Sequence, residues 1–281
     1  MSICGYIIEK YNNMASAYTC HRLLTNGNAI GLQLRIIGAQ DCYLVGDQVY
    51  NQGVALQPVD FVINRYKFGH VKDMLNTLAG RSYNGKDAFN LYVNKYEQIT
   101  RLSSDAFIKP KYVLGSFCTP FNDLKNELGL PFVAKGLESS MGREIFLIEN
   151  EQDWNLLVGD PAKEWLFEEF IATSLGRDLR LLVVRGQAVA CMMRQSQNDF
   201  RANVALGSKV IPFTIDQNLK KIADDIWQQT YLDFVGIDLL FGKEQYCFCE
   251  INVMPGLEGI EFASGKNIAG MIIETISKDL S

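Results

Sequence analysis

The chain has 281 residues, of which 48% are hydrophobic and 21% are charged, and its formal net charge is −5. This length predicts about two domains, and this composition is typical of a globular protein and excludes a disordered or collagen-like chain. The negative net charge argues against a general electrostatic grip on nucleic acid, so no nucleic-acid partner is expected.

The seven cysteines are irregularly spaced and contain no Cys-x-x-Cys pair. A disulfide framework or a zinc site needs clustered spacing, so we expect reduced thiols and a cytoplasmic protein. No run reaches the roughly 18 apolar residues of a spanning helix, so no membrane partner is expected. Because the chain has only two histidines, its chemistry is expected to depend on carboxylates, lysines, arginines and the backbone.

Residues 1–86 are predicted to form a small N-terminal α/β domain with a parallel sheet. Apolar runs predict strands at residues 3–8, 31–37 and 59–64. A helix is expected over residues 12–26, with Gly27 as its stop signal. The Asn84-Gly85 pair indicates a turn where this domain ends.

Residues 87–281 are predicted to form a second, larger unit. One helix is expected over residues 88–102, because Asp87 is a good N-cap and apolar residues recur on one helical face. Further helices are expected at residues 121–128 and 217–230 and after Gly265; strands are expected at residues 131–135, 144–148, 165–171, 179–184, 188–193, 235–241 and 245–253.

Three oxygen-bearing side chains at the end of the chain form the strongest local signal. Glu250 and Asn252 are two apart on an apolar strand, so they point to one face. If residues 243–245 form the turn of a hairpin, Asp238 lies opposite Glu250, with Cβ atoms about 4.5–5.5 Å apart. Hard oxygen ligands of this kind suit Mg²⁺ on a cleft face. The alternative is a solvated acidic face on an edge hairpin.

A second signal is Lys135, which ends a strand and is followed by the small polar loop 138–143. A strand that leads through a lysine into such a loop is typical of phosphate binding by backbone N–H groups and a point charge. The Walker and Gly-x-Gly-x-x-Gly patterns are absent. An ordinary hairpin loop is the alternative interpretation, and these residues alone favour it.

A third signal is the segment 199–203, which contains Arg201, together with Arg194 and other arginines of a strand-rich region. Several arginines there could clamp phosphate or carboxylate groups. Arginines on a solvated sheet face explain the pattern equally well. Cys247 and Cys249 are expected to be small buried hydrophobic residues.

Together these signals resemble the ATP-grasp superfamily, and its RimK-type carboxylate–amine ligases most of all. The resemblance extends over about residues 59–276. Its motifs are PFVAK at 131–135 with the loop 138–142, EEFI at 168–171, GRDLR at 176–180, DFRAN at 199–203, VGID at 235–238, EIN at 250–252 and PGLEG at 255–259. The loop carries Arg143 and Glu144 where a more glycine-rich run is common in the family.

The resemblance implies an α/β (α+β) ATP-grasp fold, in which a small central lobe of about residues 110–171 and a C-terminal lobe of about residues 172–281 clasp ATP. The small parallel-sheet domain precedes them. It also implies roles for individual residues. The residues that would bind ATP are Lys95, Lys135, Ser139, Ser140, Gly142, Glu169, Phe170, Asp178, Arg201 and Asn203. Catalysis would use Arg201, Asn203 and, as a further candidate, Arg194. Two Mg²⁺ ions per site, for which Mn²⁺ can substitute, would be held by Asp238, Glu250 and Asn252.

The function that this resemblance implies is an ATP- and Mg²⁺-dependent ligase that joins a carboxylate to an amine through an acyl phosphate. Addition of an amino acid such as glutamate to a peptide or protein is the first expectation, and a homo-oligomer stays open. The alternatives are a maturase that makes side-chain ester or amide links in a precursor peptide, a phosphoryl transferase that stops at the phosphorylated carboxylate, and a non-enzymatic nucleotide-binding module.

Overall fold

The computed structural model of the chain describes residues 3–139, 143–157, 162–202 and 207–281. A four-stranded parallel sheet comes first, a four-stranded antiparallel sheet second and a six-stranded sheet last, with a small three-stranded sheet beside the first. This mixed α/β architecture confirms the predicted fold class, including the parallel N-terminal sheet. Within the described ranges, no helix has both the length and the apolar character that crossing a membrane requires.

The parallel sheet has the strand order β2-β1-β6-β7. Apolar residues fill β1 and β6 on both faces, as expected for strands covered on two sides. The strands of this part are β1 (Cys4–Glu9), β2 (Gln33–Gly38), β3 (Cys42–Val45), β4 (Gln48–Asn51), β5 (Val54–Ala55), β6 (Val59–Asn64) and β7 (Ala79–Tyr83), and the helices are α1 (Tyr18–Ala29) and α2 (His70–Thr77), with 3₁₀ turns at Asn12–Ser16 and Ala39–Asp41.

The antiparallel sheet has the order β11-β10-β12-β9 and the six-stranded sheet the order β15-β14-β13-β16-β17-β8. The strands are β8 (Phe107–Ile108), β9 (Tyr112–Gly115), β10 (Phe132–Gly136), β11 (Ile145–Ile148), β12 (Trp165–Glu169), β13 (Arg177–Val184), β14 (Gln187–Gln195), β15 (Lys209–Pro212), β16 (Phe234–Phe241) and β17 (Tyr246–Asn252). The helices are α3 (Lys86–Tyr92), α4 (Lys95–Arg101), α5 (Phe121–Leu128), α6 (Glu151–Leu156), α7 (Gln217–Thr230), α8 (Glu258–Ser264) and α9 (Ile268–Asp279), with a 3₁₀ turn at Ala172–Ser174.

The predicted stop of the first helix at Gly27 is wrong. Residues 12–16 form a 3₁₀ turn, and α1 runs from Tyr18 through Gly27 to Ala29. Gly27 is packed against strand β2, since a Cβ atom there would lie 2.4 Å from the Leu34 Cδ1 atom. This glycine therefore allows a close helix–sheet approach and does not end the helix.

The single helix predicted over residues 88–102 is two helices, α3 and α4. The Asn94 side chain is the N-cap of α4 and accepts hydrogen bonds from the N–H groups of Tyr96 and Glu97. Such a cap competes with helix continuation through residues 93–94. The break makes Lys95 the first residue of α4 and turns it towards the last β-hairpin.

The hairpin of β16 and β17 pairs Asp238 with Glu250, as predicted, but its connection is longer than predicted and it contains a β-bulge. The strands end at Phe241 and resume at Tyr246, so the connection is longer than the predicted turn at residues 243–245. The register shifts after Asp238, which leaves Cys249 as the extra residue of a β-bulge. The bulge restores the predicted pairing and increases the local twist of the strand.

The parallel sheet and the six-stranded sheet share one hydrophobic core. Ile7, Leu23 and Phe61 belong to the same buried cluster as Leu182 and the buried residues of α9. In addition, Arg65 donates from Nε to Glu9 Oε1 (2.8 Å) and from Nη1 to the Pro255 carbonyl (3.2 Å). The N-terminal sheet is therefore attached to the segment that follows β17.

Asn84 is the polar centre of this attachment and is fully buried. Its Nδ2 donates to the carbonyls of Phe234 (2.7 Å) and Val253 (2.9 Å), and its Oδ1 accepts from the Phe234 N–H (2.9 Å). One side chain thus satisfies three backbone groups, two of them in β16 and one just after β17.

We expect Asn84→Ala to lower the free energy of unfolding by about 3 kcal/mol, because it leaves buried backbone groups without partners. Urea denaturation followed by circular dichroism measures this. Asn218→Ala, at an exposed position of α7, is the matched control and should change stability by no more than about 0.5 kcal/mol. A loss below about 1 kcal/mol for Asn84→Ala would contradict the assignment.

Candidate functional site

A cleft lies between the antiparallel sheet and the six-stranded sheet and contains about 710 Å³ of empty space, including solvent at its mouth. Of the residues predicted from the sequence, the cleft brings together Lys135, Glu169, Phe170, Asp178, Arg194, Arg201, Asp238 and Glu250.

Five charged side chains lie side by side on four adjacent strands, and all but Arg180 line the cleft. We call them the charged row: Arg194, Asp178, Arg180, Asp238 and Glu250. The registers Arg194–Asp178, Arg180–Asp238 and Asp238–Glu250 are direct cross-strand pairs. Directly opposed residues of antiparallel strands project to the same face. On β13 this face continues into the apolar Leu182 and Val184, which pack into the core shared with the N-terminal sheet.

Asp238 is the centre of the charged row. Its carboxylate accepts two hydrogen bonds from Arg180, one of them at 2.7 Å, and one from Arg194 at 2.8 Å. Burial alone would raise the pKa of Asp238, but the two guanidinium groups outweigh burial and hold this pKa below its ordinary value. The expectation that Asp238 lies on an exposed cleft face is wrong, since only 2% of its side chain is exposed.

Arg194 is held by Asp178 in a two-pronged contact at 2.6 and 2.7 Å. Burial raises the pKa of Asp178 despite this ion pair. Because Arg194 also bonds Asp238, its donors are largely used within the charged row. Arg180 received no role from the sequence, although its position two residues after Asp178 on a strand placed both on one face. Gly236 makes room for Arg180, since a Cβ atom there would lie 3.0 Å from the Arg180 Cδ atom.

Lys135 reaches the cleft from β10 and forms a buried ion pair with Glu168 of β12, with 2.6 Å between Nζ and Oε2. Its Nζ also donates to the Cys249 Sγ atom at 3.8 Å. Burial alone would lower the pKa of Lys135, but the groups around it, Cys249 and Glu168 foremost, raise it overall. Burial raises the pKa of Glu168. The sequence reasoning quoted Glu168 in a motif but missed it as the partner of this lysine.

Cys249 does not follow the expectation of a buried hydrophobic residue, whereas Cys247 does. The bulge in β17 turns both Cys249 and its neighbour Glu250 into the cleft. In a regular strand these two side chains would point to opposite faces. The thiol is thereby brought beside Lys135.

Lys95 and Ser139 lie at one end of the cleft. The Lys95 Nζ donates to the Ser139 carbonyl at 2.7 Å and pairs with Glu250 Oε2 at 3.2 Å. The Ser139 hydroxyl donates to the Gly136 carbonyl at 3.0 Å. Asn252 lies across from Gly236, and its Oδ1 accepts from the Met254 N–H at 3.1 Å. Ser140, Gly142 and Asn203 lie outside the described residues.

The predicted adenine-binding residues, Glu169 and Phe170, lie at the end of β12. The Glu169 N–H donates to the Lys111 carbonyl at 3.0 Å, so it is not available as a purine donor. The Phe170 ring packs edge-on against Phe200, with 6.4 Å between the ring centroids. Arg201, next to Phe200, is paired with Asp199 Oδ2 at 2.6 Å through Nη2. This aromatic contact joins the end of β12 to the arginine that the sequence favoured for catalysis.

A metal site was predicted at Asp238, Glu250 and Asn252. Among the residues that the structure describes, no three His, Cys, Asp or Glu side chains are grouped so as to hold a metal ion. The donor types nevertheless fit Mg²⁺, because two carboxylates and one amide oxygen are hard oxygen ligands. Glu250 and Asn252 are partly exposed, whereas Asp238 is occupied by its two arginines.

Comparison with known proteins identifies the family. Residues 110–276 match the RimK-like ATP-grasp domain. A probable alpha-L-glutamate ligase of Psychromonas ingrahamii is 31% identical, covering 94% of this chain and 93% of the relative.

Solved structures of the ATP-grasp ligase PsnB with its minimal precursor and of the macrocyclase MdnC from Microcystis aeruginosa with the precursor peptide MdnA give TM-scores of 0.74 and 0.72. Both are 15% identical to this chain. They cover 100% and 98% of it, and it covers 100% of each. At this identity they show the fold alone. The ATP-grasp fold implies ATP and Mg²⁺. The family predicted from the sequence is confirmed: the chain belongs to the RimK-like ATP-grasp family and is an ATP-dependent carboxylate–amine ligase.

Proposed function

We propose that this ligase joins the amine of an amino acid, glutamate first, to a carboxylate of a peptide or protein through an acyl phosphate. The observation that carries the proposal is the convergence of Lys135, Arg201 and Glu250 in one cleft. A carboxylate does not react with an amine at neutral pH, because its oxygen is a poor leaving group. Phosphorylation gives a better one, and the protein then contributes mainly positioning and charge stabilisation.

Nucleotide binding is proposed to use both sides of the cleft. The purine edge would take its hydrogen bonds from main-chain groups at Phe170 and Ile171, beyond the occupied N–H of Glu169. The Phe170 and Phe200 rings offer an apolar surface to the base. Lys135 and Lys95 would face the phosphates, and Asp178 would approach the ribose. Ser139, Ser140 and Gly142 complete the proposed phosphate loop.

Glu250, Asn252 and Asp238 are the proposed ligands of Mg²⁺, with two ions per site and with Mn²⁺ as a substitute. Bound Mg²⁺ would neutralise charge on the phosphates. Glu250 and Asn252 are partly exposed residues, which supports them as the main ligands. Asp238 also pairs with Arg180 and Arg194 and so holds both guanidinium groups in place at the base of the cleft.

Arg201 is proposed as the catalytic arginine and Asn203 as its neighbour in the same role. Asp199 orients the Arg201 guanidinium through its Nε and Nη2 atoms. A guanidinium held in this way is preorganised for charge that develops on the transferring phosphoryl group. Arg194 is assigned a positioning role, because its donors are engaged by Asp178 and Asp238.

In the described part of the chain, Cys20, Cys42, Cys118, Cys191, Cys247 and Cys249 are free thiols. This supports a reducing compartment, and we propose the cytoplasm.

The decisive experiment is ADP release with Mg²⁺ against a panel of amino acids and peptides, with products identified by mass. The proposal requires ADP release that depends on both an amine and a carboxylate, and a product that contains both. A single peptide that becomes lighter by one water would instead indicate a maturase. Hydroxylamine trapping without amine-dependent ADP release would indicate a transferase that stops at the acyl phosphate. No ADP release with any pair would contradict the proposal.

We expect Lys135→Met to weaken ATP binding by at least about 10-fold, because a charge-assisted contact to phosphate is lost. It should also lower the free energy of unfolding by about 3–5 kcal/mol, since Glu168 is left buried and unpaired. The double variant Lys135→Met/Glu168→Leu should recover most of the stability but not the ATP affinity. Calorimetric titration and urea denaturation separate the two effects; recovery of ATP binding in the double variant would refute the phosphate role.

Glu250→Gln and Asp238→Asn should differ in their effects on stability. Glu250 is partly exposed, so Glu250→Gln should keep the fold while raising the Mg²⁺ concentration needed for half-maximal turnover by at least about 10-fold. Asp238→Asn leaves Arg180 without its buried counter-charge, while Arg194 keeps Asp178, and should also lower the free energy of unfolding by about 3 kcal/mol. Turnover measured against Mg²⁺ concentration, with denaturation in parallel, tests both; a normal Mg²⁺ requirement in Glu250→Gln removes it from the metal site.

Arg201→Met should lower kcat by about 10²–10³-fold with little change in the KM for ATP, if Arg201 stabilises charge that develops in the transition state. Arg201→Lys should not restore kcat fully, because a point charge cannot replace a planar two-pronged donor. Steady-state kinetics at saturating ATP provide the measurement. A kcat for Arg201→Met within about threefold of the wild-type value would give this role to another residue.

A further inference from the structure

A second cavity lies beside the nucleotide cleft, between the segment that follows β6 and the connection between β10 and β11. It contains about 1220 Å³ of empty space, including open solvent. Lys67, Phe68, Asn94, Ser139 and Arg143 are among its lining residues. Lys95 separates it from the nucleotide cleft, because this lysine contacts both the Ser139 carbonyl and Glu250. The cavity therefore lies next to the proposed metal and phosphate positions.

The charged side chains of this cavity are only partly neutralised. Lys163 and Glu144 pair with each other. Of the remaining charged lining residues, Lys67, Arg143, Glu138 and Glu164, none forms an ion pair with a described residue. Two cations and two carboxylates thus line one space without an ion-pair partner among the described residues. A ligand that carries charges of both signs complements such a lining, whereas a purely anionic or purely cationic ligand does not.

Lys67 is the one of these four that is half-buried; the other three are exposed. Its Nζ donates to the Glu138 carbonyl and lies 4.9 Å from the centre of the Phe68 ring. An ammonium group has three N–H donors, and the Glu138 carbonyl uses one. Burial, and then the charge of Lys95, lowers the pKa of Lys67. A carboxylate placed here would gain a partially desolvated cation that is already fixed in position.

The topology of the parallel sheet gives an independent reason to expect a ligand at this place. In the order β2-β1-β6-β7, the chain continues from β1 to β2 on one side, and β6 lies on the other. Ligands of open parallel sheets bind outside the carboxyl ends of the strands at such a switch point. Lys67 and Phe68 come just after the carboxyl end of β6.

We propose that this cavity binds the free amino-acid substrate of the ligase and that Lys67 binds one of its carboxylates. The inference rests on the proposed ligase function and adds the substrate subsite to it. A dicarboxylic amino acid such as glutamate presents a second carboxylate, for which Arg143 is the available cation. Glu138 and Glu164 face its ammonium group. The amine then lies on the side of the cavity that adjoins Lys95 and Glu250.

Binding can be measured without turnover. L-glutamate is titrated by calorimetry into the full chain saturated with Mg²⁺ and a non-hydrolysable ATP analogue. Lys67→Met should raise the Kd for glutamate by about 10- to 100-fold, since a charge-assisted hydrogen bond is lost, and Lys67→Arg should restore part of the affinity. Lys111→Met is the matched control, because Lys111 also donates to a main-chain carbonyl, that of Glu127 (3.3 Å), but does not line this cavity. It should leave the Kd unchanged.

Two amides of glutamate distinguish carboxylate binding from a purely structural role. The wild-type protein should bind L-glutamine and glutamate α-amide more weakly than glutamate. Lys67→Met removes the partner of one glutamate carboxylate. In this variant, the amide that lacks that same carboxylate should therefore bind as well as glutamate does. If Lys67 only holds the Glu138 carbonyl, both amide penalties persist and the affinity for the ATP analogue falls together with that for glutamate, which overturns the proposal.

The two proposals can fail separately. Absence of glutamate-dependent ADP release would count against the proposed function, whatever the titrations give. Absence of glutamate binding to the loaded wild-type protein, or unchanged binding in Lys67→Met, would overturn the subsite assignment even where the enzyme turns over.

Discussion

The buried carboxylate of Asp238, held between Arg180 and Arg194, is the interaction on which the site depends. Charges buried in a protein persist only when they are paired and hydrogen-bonded, so three strands of the six-stranded sheet must keep one register. A slip of one residue would send these side chains into the apolar core on the other face of the sheet. The same register sets Glu250 and Asp178 beside the centre. The charged floor of the cleft is thus held by buried ion pairs and does not depend on flexible surface side chains.

Much of this arrangement could be predicted from the sequence, because it follows from strand periodicity. The alternation in β13 and β17 and the pairing of Asp238 with Glu250 need only local patterns. The bulge at Cys249 could not be predicted. The connection between β16 and β17 is one residue longer than the predicted turn, and the extra bulge residue offsets this difference, so Asp238 pairs with Glu250 either way. The break at Asn94 was missed because apolar spacing continues across it, and only the cap contacts identify a new helix start. The partnership of Lys135 with Glu168 depends on two strands that are distant in sequence.

Two lysines from different parts of the chain hold consecutive carbonyls of one loop. Lys67, after the parallel sheet, bonds the carbonyl of Glu138, and Lys95, at the start of α4, bonds that of Ser139. The loop therefore connects the N-terminal sheet to the nucleotide cleft through two short contacts. Any displacement of the loop alters both cations together.

The core shared by the parallel and six-stranded sheets limits how members of this family can exchange parts. A chimaera that replaces only the segment before α3 would set foreign side chains against Leu182 and α9, and a new residue at position 84 against the backbone of β16. Recombination at the segment just before α3 is therefore disfavoured, although the sequence predicts a domain boundary there. A transplant that preserves folding has to carry the C-terminal helix along with the first sheet. The first sheet and the last helix of the chain are therefore expected to be inherited as one unit.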